Sequence, residues 1–131
     1  MLRGRCFCGA VQYEARNEVC NETFCHCSVC RRVSGASPVA WLTVPAASFR
    51  FTAGQPTKFQ SSSHASRSFC GCCGTPLTFQ STTAPDEVDI TICSLEHPEQ
   101  VPPRDHIHTA SKIPWVSVND GLPLYEESRS N

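Results

Sequence analysis

Apolar and polar residues alternate with a period of two along much of this chain. In "AVQYEAR", Val11, Tyr13 and Ala15 share one face, with Gln12, Glu14 and Arg16 on the other. In "EVDITIC", Val88, Ile90 and Ile92 alternate with Asp89, Thr91 and Cys93. "VAWLTV" (39–44), "SFRFTA" (48–53), "TKFQS" (57–61), "SRSFC" (66–70), "PLTFQS" (76–81) and "HIHTA" (106–110) also read as strands. Such alternation sets one face of a strand on a core and the other toward water. Helical periodicity is scarce. One or two helical turns are predicted around 28–34, ended by Gly35, and another short turn within 95–102.

Ten prolines and seven glycines cut the chain into these short pieces. Short strands with frequent turn residues predict a mostly β domain of antiparallel strands. The chain has no repeat and no internal linker, so its 131 residues are expected to form one domain. "QSSSHASRS" (60–68) reads as a polar loop and "EESRSN" (126–131) as a frayed tail. A β domain of this size has a thin core, and metal cross-links between hairpins are the usual remedy.

The formal net charge of −1 and the lack of a basic run argue against a nucleic-acid partner. No stretch has the length and apolarity of a membrane span, and "MLRGRCFCGAVQYEARNE" lacks the apolar core of a signal peptide. The expected setting is the cytoplasm, where thiols stay reduced. Nothing in the sequence excludes a homodimer.

Ten cysteines change the picture. They cluster as C-x-C and C-x-x-C, spacings that suit metal chelation and not the cross-linking of long loops. Cys6 and Cys8 in "RCFCG", if extended, point to one face. Cys70 and Cys73 in "FCGCCG" form a C-x-x-C-G turn, a zinc knuckle in which Gly74 allows a positive φ. Together they close a four-thiolate structural zinc site. Cys72 is a competing thiol inside the knuckle; the position of Gly74 favours Cys73.

Cys25, Cys27 and Cys30 in "FCHCSVCRRVSG" give three further thiolates. Two completions stand open. Water or a substrate fills the fourth position, the catalytic pattern, or another cysteine or histidine closes a second structural site. A sulfur-rich shell favours a soft fourth ligand, so a substrate thiol is the natural choice. Cys20 is within reach from a polar turn, and Cys93 reads as a small buried residue. His26, between two ligands, is expected to pack behind the metal and not to bind it. With both zincs bound the net charge is about −4, counting each thiolate as −1. Arg31, Arg32 and Arg67 offset that charge or receive a substrate carboxylate.

These motifs carry a family likeness. "RCFCGAVQYEA", "FCHCSVCRRVSGAS", "SRSFCGCCGTPLTF", "DEVDITICSLEHPE" and "HIHTASKIPWVSVNDGLPLY", in this order, resemble the glutathione-dependent formaldehyde-activating enzyme family, which includes centromere-protein-V-like members. The likeness implies a zinc-stabilised β-tent of short antiparallel strands, shared with methionine sulfoxide reductase B. It implies structural zinc on Cys6, Cys8, Cys70 and Cys73, and catalytic zinc on Cys25, Cys27 and Cys30. The implied activity is that of a carbon–sulfur lyase or synthase joining glutathione to formaldehyde as S-hydroxymethylglutathione. His106, Lys112, Pro114, Trp115 and Asp120 fall on motif positions. His106 then orients the adduct or relays a proton, and Arg31 or Arg32 binds a glutathione carboxylate. Trp41, Trp115 and Phe24 are candidate pocket walls. The alternative from another class is a non-catalytic zinc-structured binding module. A third is a reductase that uses Cys72 or Cys93 as its redox thiol.

Overall fold

The structure, a computed structural model, describes residues 1–129. It is mostly β, as expected. Ten strands are β1 (Leu2–Arg5), β2 (Gln12–Ala15), β3 (Cys20–Cys25), β4 (Val39–Pro45), β5 (Phe49–Ala53), β6 (Thr57–Gln60), β7 (Ala65–Phe69), β8 (Pro76–Ser81), β9 (Glu87–Thr91) and β10 (His106–Ile107). One helix, α1 (Ser28–Ser34), lies between β3 and β4.

Two sheets form. The smaller runs β1-β2-β5 and the larger β10-β3-β4-β9-β8-β7-β6. Pairing is antiparallel except for β10, which joins β3 in parallel. The strand alternation explains the core between the sheets. Tyr13 and Ala15 of the small sheet meet Leu42, Val44, Leu77, Val88 and Ile90 of the large one, all buried. Burial of each such side chain contributes about 1.5–3 kcal/mol. Tyr13 keeps its hydroxyl satisfied by bonding Ser94 Oγ at 2.6 Å.

The other face of the large sheet carries a row set by register. Arg67 pairs with Phe79, Phe79 with Asp89, and Asp89 with Thr43 across β7, β8, β9 and β4. A second, smaller cluster of Cys25, Cys30, Val39 and Trp41 is buried there. This face forms the floor of the functional site.

Several local expectations change. "EVDITIC" is a strand only to Thr91, and Ile92–Ser94 turn as a short 3-10 helix. Cys93 therefore is exposed, not buried. "HIHTA" is a strand over its first two residues only. Half of the polar "QSSSHASRS" segment is β7, and Arg67 within it is buried. The tail also departs from expectation through residue 129. Glu127 C=O accepts from His108 N at 2.9 Å, and Arg129 pairs with Asp105. Residues 130 and 131 of the expected frayed tail lie outside the described residues.

Candidate metal centres

The four cysteines of the first set converge from two turns. Cys6 and Cys8 are not extended; Gly9 N donates to Cys6 C=O at 3.1 Å, and this turn brings both sulfurs round. Phe7, at its apex, points to solvent. On the other side Gly74, at φ 85°, lets its N–H reach Cys70 C=O at 2.8 Å. The Cys6–Cys8 and Cys8–Cys70 sulfurs lie 3.6 and 3.7 Å apart. A tetrahedron with metal–sulfur bonds of about 2.3 Å has edges of about 3.8 Å, so the four sulfurs fit zinc. Val11 N donates to Cys6 Sγ at 3.3 Å. The Thr75 hydroxyl bonds Cys73 Sγ and, ahead of backbone donors, pulls that thiol down to about 5. Cys72 is exposed and its sulfur lies outside the set, whose four sulfurs are those of Cys6, Cys8, Cys70 and Cys73.

The second set is built on the β3–α1 junction. Cys25 ends β3 and Cys27 caps α1, its sulfur accepting from Cys30 N at 3.2 Å. A side-chain acceptor at this position meets one of the N–H groups that a helix start leaves unpaired. Gly35, at φ 68°, ends the helix as its position in the sequence predicts. Cys25 and Cys30 sulfurs are 3.7 Å apart, and all three lie within 4.8 Å of one another. That spacing again matches one tetrahedral ion. The hydrogen bonds from Cys25 and then Cys30 draw the Cys27 thiol down to about 2, while the Cys25 thiol is pushed far up. Three sulfurs this close hold negative charge together only with a cation among them.

A buried arginine supports this centre. Arg67 is 5% exposed and puts NH1 and NH2 at 3.7 and 3.6 Å from Cys30 Sγ. Its Nε donates to Ser61 Oγ at 2.9 Å, and its guanidinium lies 4.9 Å from the Phe79 ring centroid and 5.9 Å from that of Trp41. Of the three arginines expected to offset the thiolate charge, Arg67 is the one that lies against a sulfur of this set.

A hydrogen-bonded chain runs behind the ligand loop. His26 Nε2 bonds His106 Nδ1 at 2.8 Å, and His106 Nε2 bonds Asp120 Oδ2 at 2.8 Å. With Asp120 as acceptor, His106 carries its proton on Nε2, and His26 donates from Nε2. Burial first, and then His106, holds His26 below the usual imidazole range. The His26 backbone is fixed as well, its N bonding Ile107 C=O and its C=O accepting from Ser111 Oγ, both at 3.0 Å. His26 thus packs behind the metal set, in line with expectation. His106 is 3% exposed and does not border the cavity beside the cysteines.

That cavity, of about 270 Å³, is walled by Cys25, Cys27 and Cys30 together with Trp41, Phe79, Arg67, Asp89 and His108. Asp89 Oδ1 accepts from Thr43 Oγ1 at 2.7 Å, and burial is the main cause lifting its pKa to about 6. The Trp41 indole N–H is buried without a partner among the described residues. Arg31 instead reaches Ser111 C=O at 3.4 Å, and Arg32 borders a separate apolar hollow with Val33 and Phe59. Neither borders the cysteine cavity, because Cys30 is the residue of α1 that is buried and both arginines sit on its other faces. Trp115 is 78% exposed, and Phe24 stacks on His106 at 4.9 Å, so of the three candidate walls only Trp41 is one. Lys112 Nζ donates to Val116 C=O at 2.7 Å and stays local. No helix is long and apolar enough to cross a membrane among the described residues.

Comparison with known proteins agrees with this geometry. The sequence model described as glutathione-dependent formaldehyde-activating enzyme matches residues 1–111. No curated protein matches the chain. A crystal structure of a protein from Rhodobacter sphaeroides is similar to it with a TM-score of 0.61 and 26% identity, covering 94% of this chain and 98% of that one.

Proposed function

The chain belongs to the glutathione-dependent formaldehyde-activating enzyme family, and on that premise we propose that it is a zinc-dependent carbon–sulfur lyase or synthase. In this reading Cys6, Cys8, Cys70 and Cys73 hold a structural zinc, and Cys25, Cys27 and Cys30 hold a catalytic one. The substrates are glutathione, or a related thiol, and a small aldehyde such as formaldehyde. The observation that carries the proposal is the contrast between the two sets. One has four sulfurs; the other has three and borders a cavity.

Zinc at the second centre would hold a substrate sulfur as thiolate at neutral pH. Everything else in the reaction falls to the chain. Arg67 sets two N–H groups against the Cys30 sulfur and so favours its thiolate as a metal ligand, and the rings of Trp41 and Phe79 keep water from its guanidinium. The substrate sulfur bonds to the aldehyde carbon, and the aldehyde oxygen takes a proton. His108 borders the cavity beside Cys27 and is our choice of donor. Asp120, His106 and His26 act as positioning residues. They hold the Cys25–Cys27 loop through the His26 ring, so His106 works from behind the ligands and not on the adduct.

The test is a pair of variants. Cys27→Ala should lose the second zinc and formation of S-hydroxymethylglutathione, yet keep a cooperative thermal transition and one zinc per chain. If Cys27→Ala unfolds the protein as Cys73→Ala should, the second centre is structural and the proposal fails.

A further inference from the structure

Four charged side chains stand in the wall of the cavity beside Cys25, Cys27 and Cys30: Arg67, Arg129, Glu87 and Asp89. Both arginines already have a partner. Arg67 faces the Cys30 sulfur. Arg129 forks onto Asp105, with NH2 at 2.9 Å from Oδ1, and its NH1 reaches Asn21 Oδ1 at 2.9 Å. The carboxylates have no such match. Asp89 accepts one neutral hydrogen bond, from Thr43. Neither Asp89 nor Glu87 enters an ion pair among the described residues.

The two carboxylates sit two residues apart on β9, so both leave the sheet on the face shared with Phe79 and Thr43. Asp89 is half-buried and feels Arg129 and Arg67 only from a distance, since both are engaged elsewhere; burial outweighs them and raises its pKa. A separate unmet group lies in the same wall, the buried indole N–H of Trp41. The polar groups of this wall without a protein partner of opposite charge or a hydrogen bond are therefore the half-buried Asp89 and exposed Glu87 carboxylates and the buried Trp41 indole N–H. A substrate that completes this wall brings a cation.

We propose that Asp89, with Glu87 at the mouth, is a subsite for a substrate ammonium group, so that the thiol used at the second centre carries a primary amine. This rests on the reading that a thiol binds at Cys25, Cys27 and Cys30, and adds which class of thiol it is. Aminothiols qualify, as do γ-glutamyl thiols, whose α-amino group is free. Thiols bearing only a carboxylate do not. Recognition then runs through an amine, and the carboxylate contact expected of Arg31 or Arg32 has no part in it.

Calorimetry on the full chain carrying both zincs tests this with cysteamine, mercaptoethanol and mercaptopropionate. They are similar in size and differ in charge. Cysteamine should bind tighter than mercaptoethanol by about tenfold to a hundredfold, the strength of one hydrogen bond to a charged group. Mercaptopropionate should bind weakest. In Asp89→Asn the cysteamine preference should fall toward one, and in Glu87→Gln by less. Taking the ratio between parent and variant cancels differences in thiol acidity. Asn keeps the shape and the Thr43 contact, and an undiminished melting temperature checks that the variant folds. Equal binding of cysteamine and mercaptoethanol, or an unchanged preference in Asp89→Asn, overturns the subsite and leaves the thiol reading intact. If none of the three binds, the thiol reading fails and the subsite with it.

Discussion

Arg67→Met isolates the second centre from the first. Arg67 is 5% exposed, and both terminal nitrogens lie within 3.7 Å of Cys30 Sγ. Methionine fills much of the same space between Phe79 and Trp41 but removes the positive charge. The Cys30 sulfur then loses hydrogen bonds to a charged donor, worth about 1.5–3 kcal/mol in such a setting. At about 1.4 kcal/mol per factor of ten, the second zinc should bind about 10- to 100-fold more weakly. Arg67 makes no hydrogen bond to the first set, Cys6, Cys8, Cys70 and Cys73, so zinc bound there should keep its affinity. Stepwise competition with a chromophoric chelator reads both constants in one titration. Arg67→Lys keeps the charge but not the two-pronged contact, and should fall between the two. An equal loss at both centres would refute the reasoning, because it would mean that the substitution loosens the fold. So would no loss at either, because Cys30 would then not depend on Arg67.

Other substitutions separate the remaining roles. Cys73→Ala should abolish folding at ordinary temperature, since a structural zinc contributes about 10–16 kcal/mol, against a whole-domain stability of about 5–15 kcal/mol; circular dichroism with and without chelator checks it. Asp120→Ala should weaken the second metal and lower kcat, with Asp120→Asn recovering much of both because its amide oxygen still accepts from His106 Nε2. A simple loss of surface charge would affect the two variants alike. Asp89→Asn should stabilise the fold. The folded Asp89 pKa of about 6 lies above its ordinary 3.8, so its carboxylate destabilises the native state, fully above pH 6, and the penalty fades as pH falls toward 4. At about 1.4 kcal/mol per unit, urea melts should show a gain of about 3 kcal/mol at pH 8 and about half that at pH 5; a gain that grew on acidification would contradict the sign.

What could be read in the sequence was governed by local rules. The strand pieces followed from alternation, the helix from the spacing before Gly35, and the two metal sets from C-x-C and C-x-x-C spacing alone. The position of Gly74 favours Cys73 over Cys72, and the structure has Gly74 at positive φ with the Cys73 sulfur grouped with those of Cys6, Cys8 and Cys70. What escaped depends on contacts between distant segments. Strand β3 is not legible in the alternation because Asn21, Glu22 and Thr23 interrupt it, and the buried Thr23 hydroxyl is satisfied by Asp105, far away in the chain. Arg67 looks like a surface residue until β4 and β8 bring Trp41 and Phe79 over it and α1 brings Cys30. Alternation puts Asp89 on the outward side of its strand, and that side lines the cavity. The tail reads as polar and loose, and is held through Arg129 by an aspartate 24 residues earlier.

The central claim is that the two cysteine sets differ in kind, and cadmium NMR tests it most directly. Protein loaded with two cadmium ions should give two resonances, one of them lost in Cys27→Ala. Adding glutathione should shift that resonance toward the position of the four-sulfur centre and leave the other unmoved. If neither resonance moves, or both do, the second centre does not accept a substrate thiol and the account is wrong.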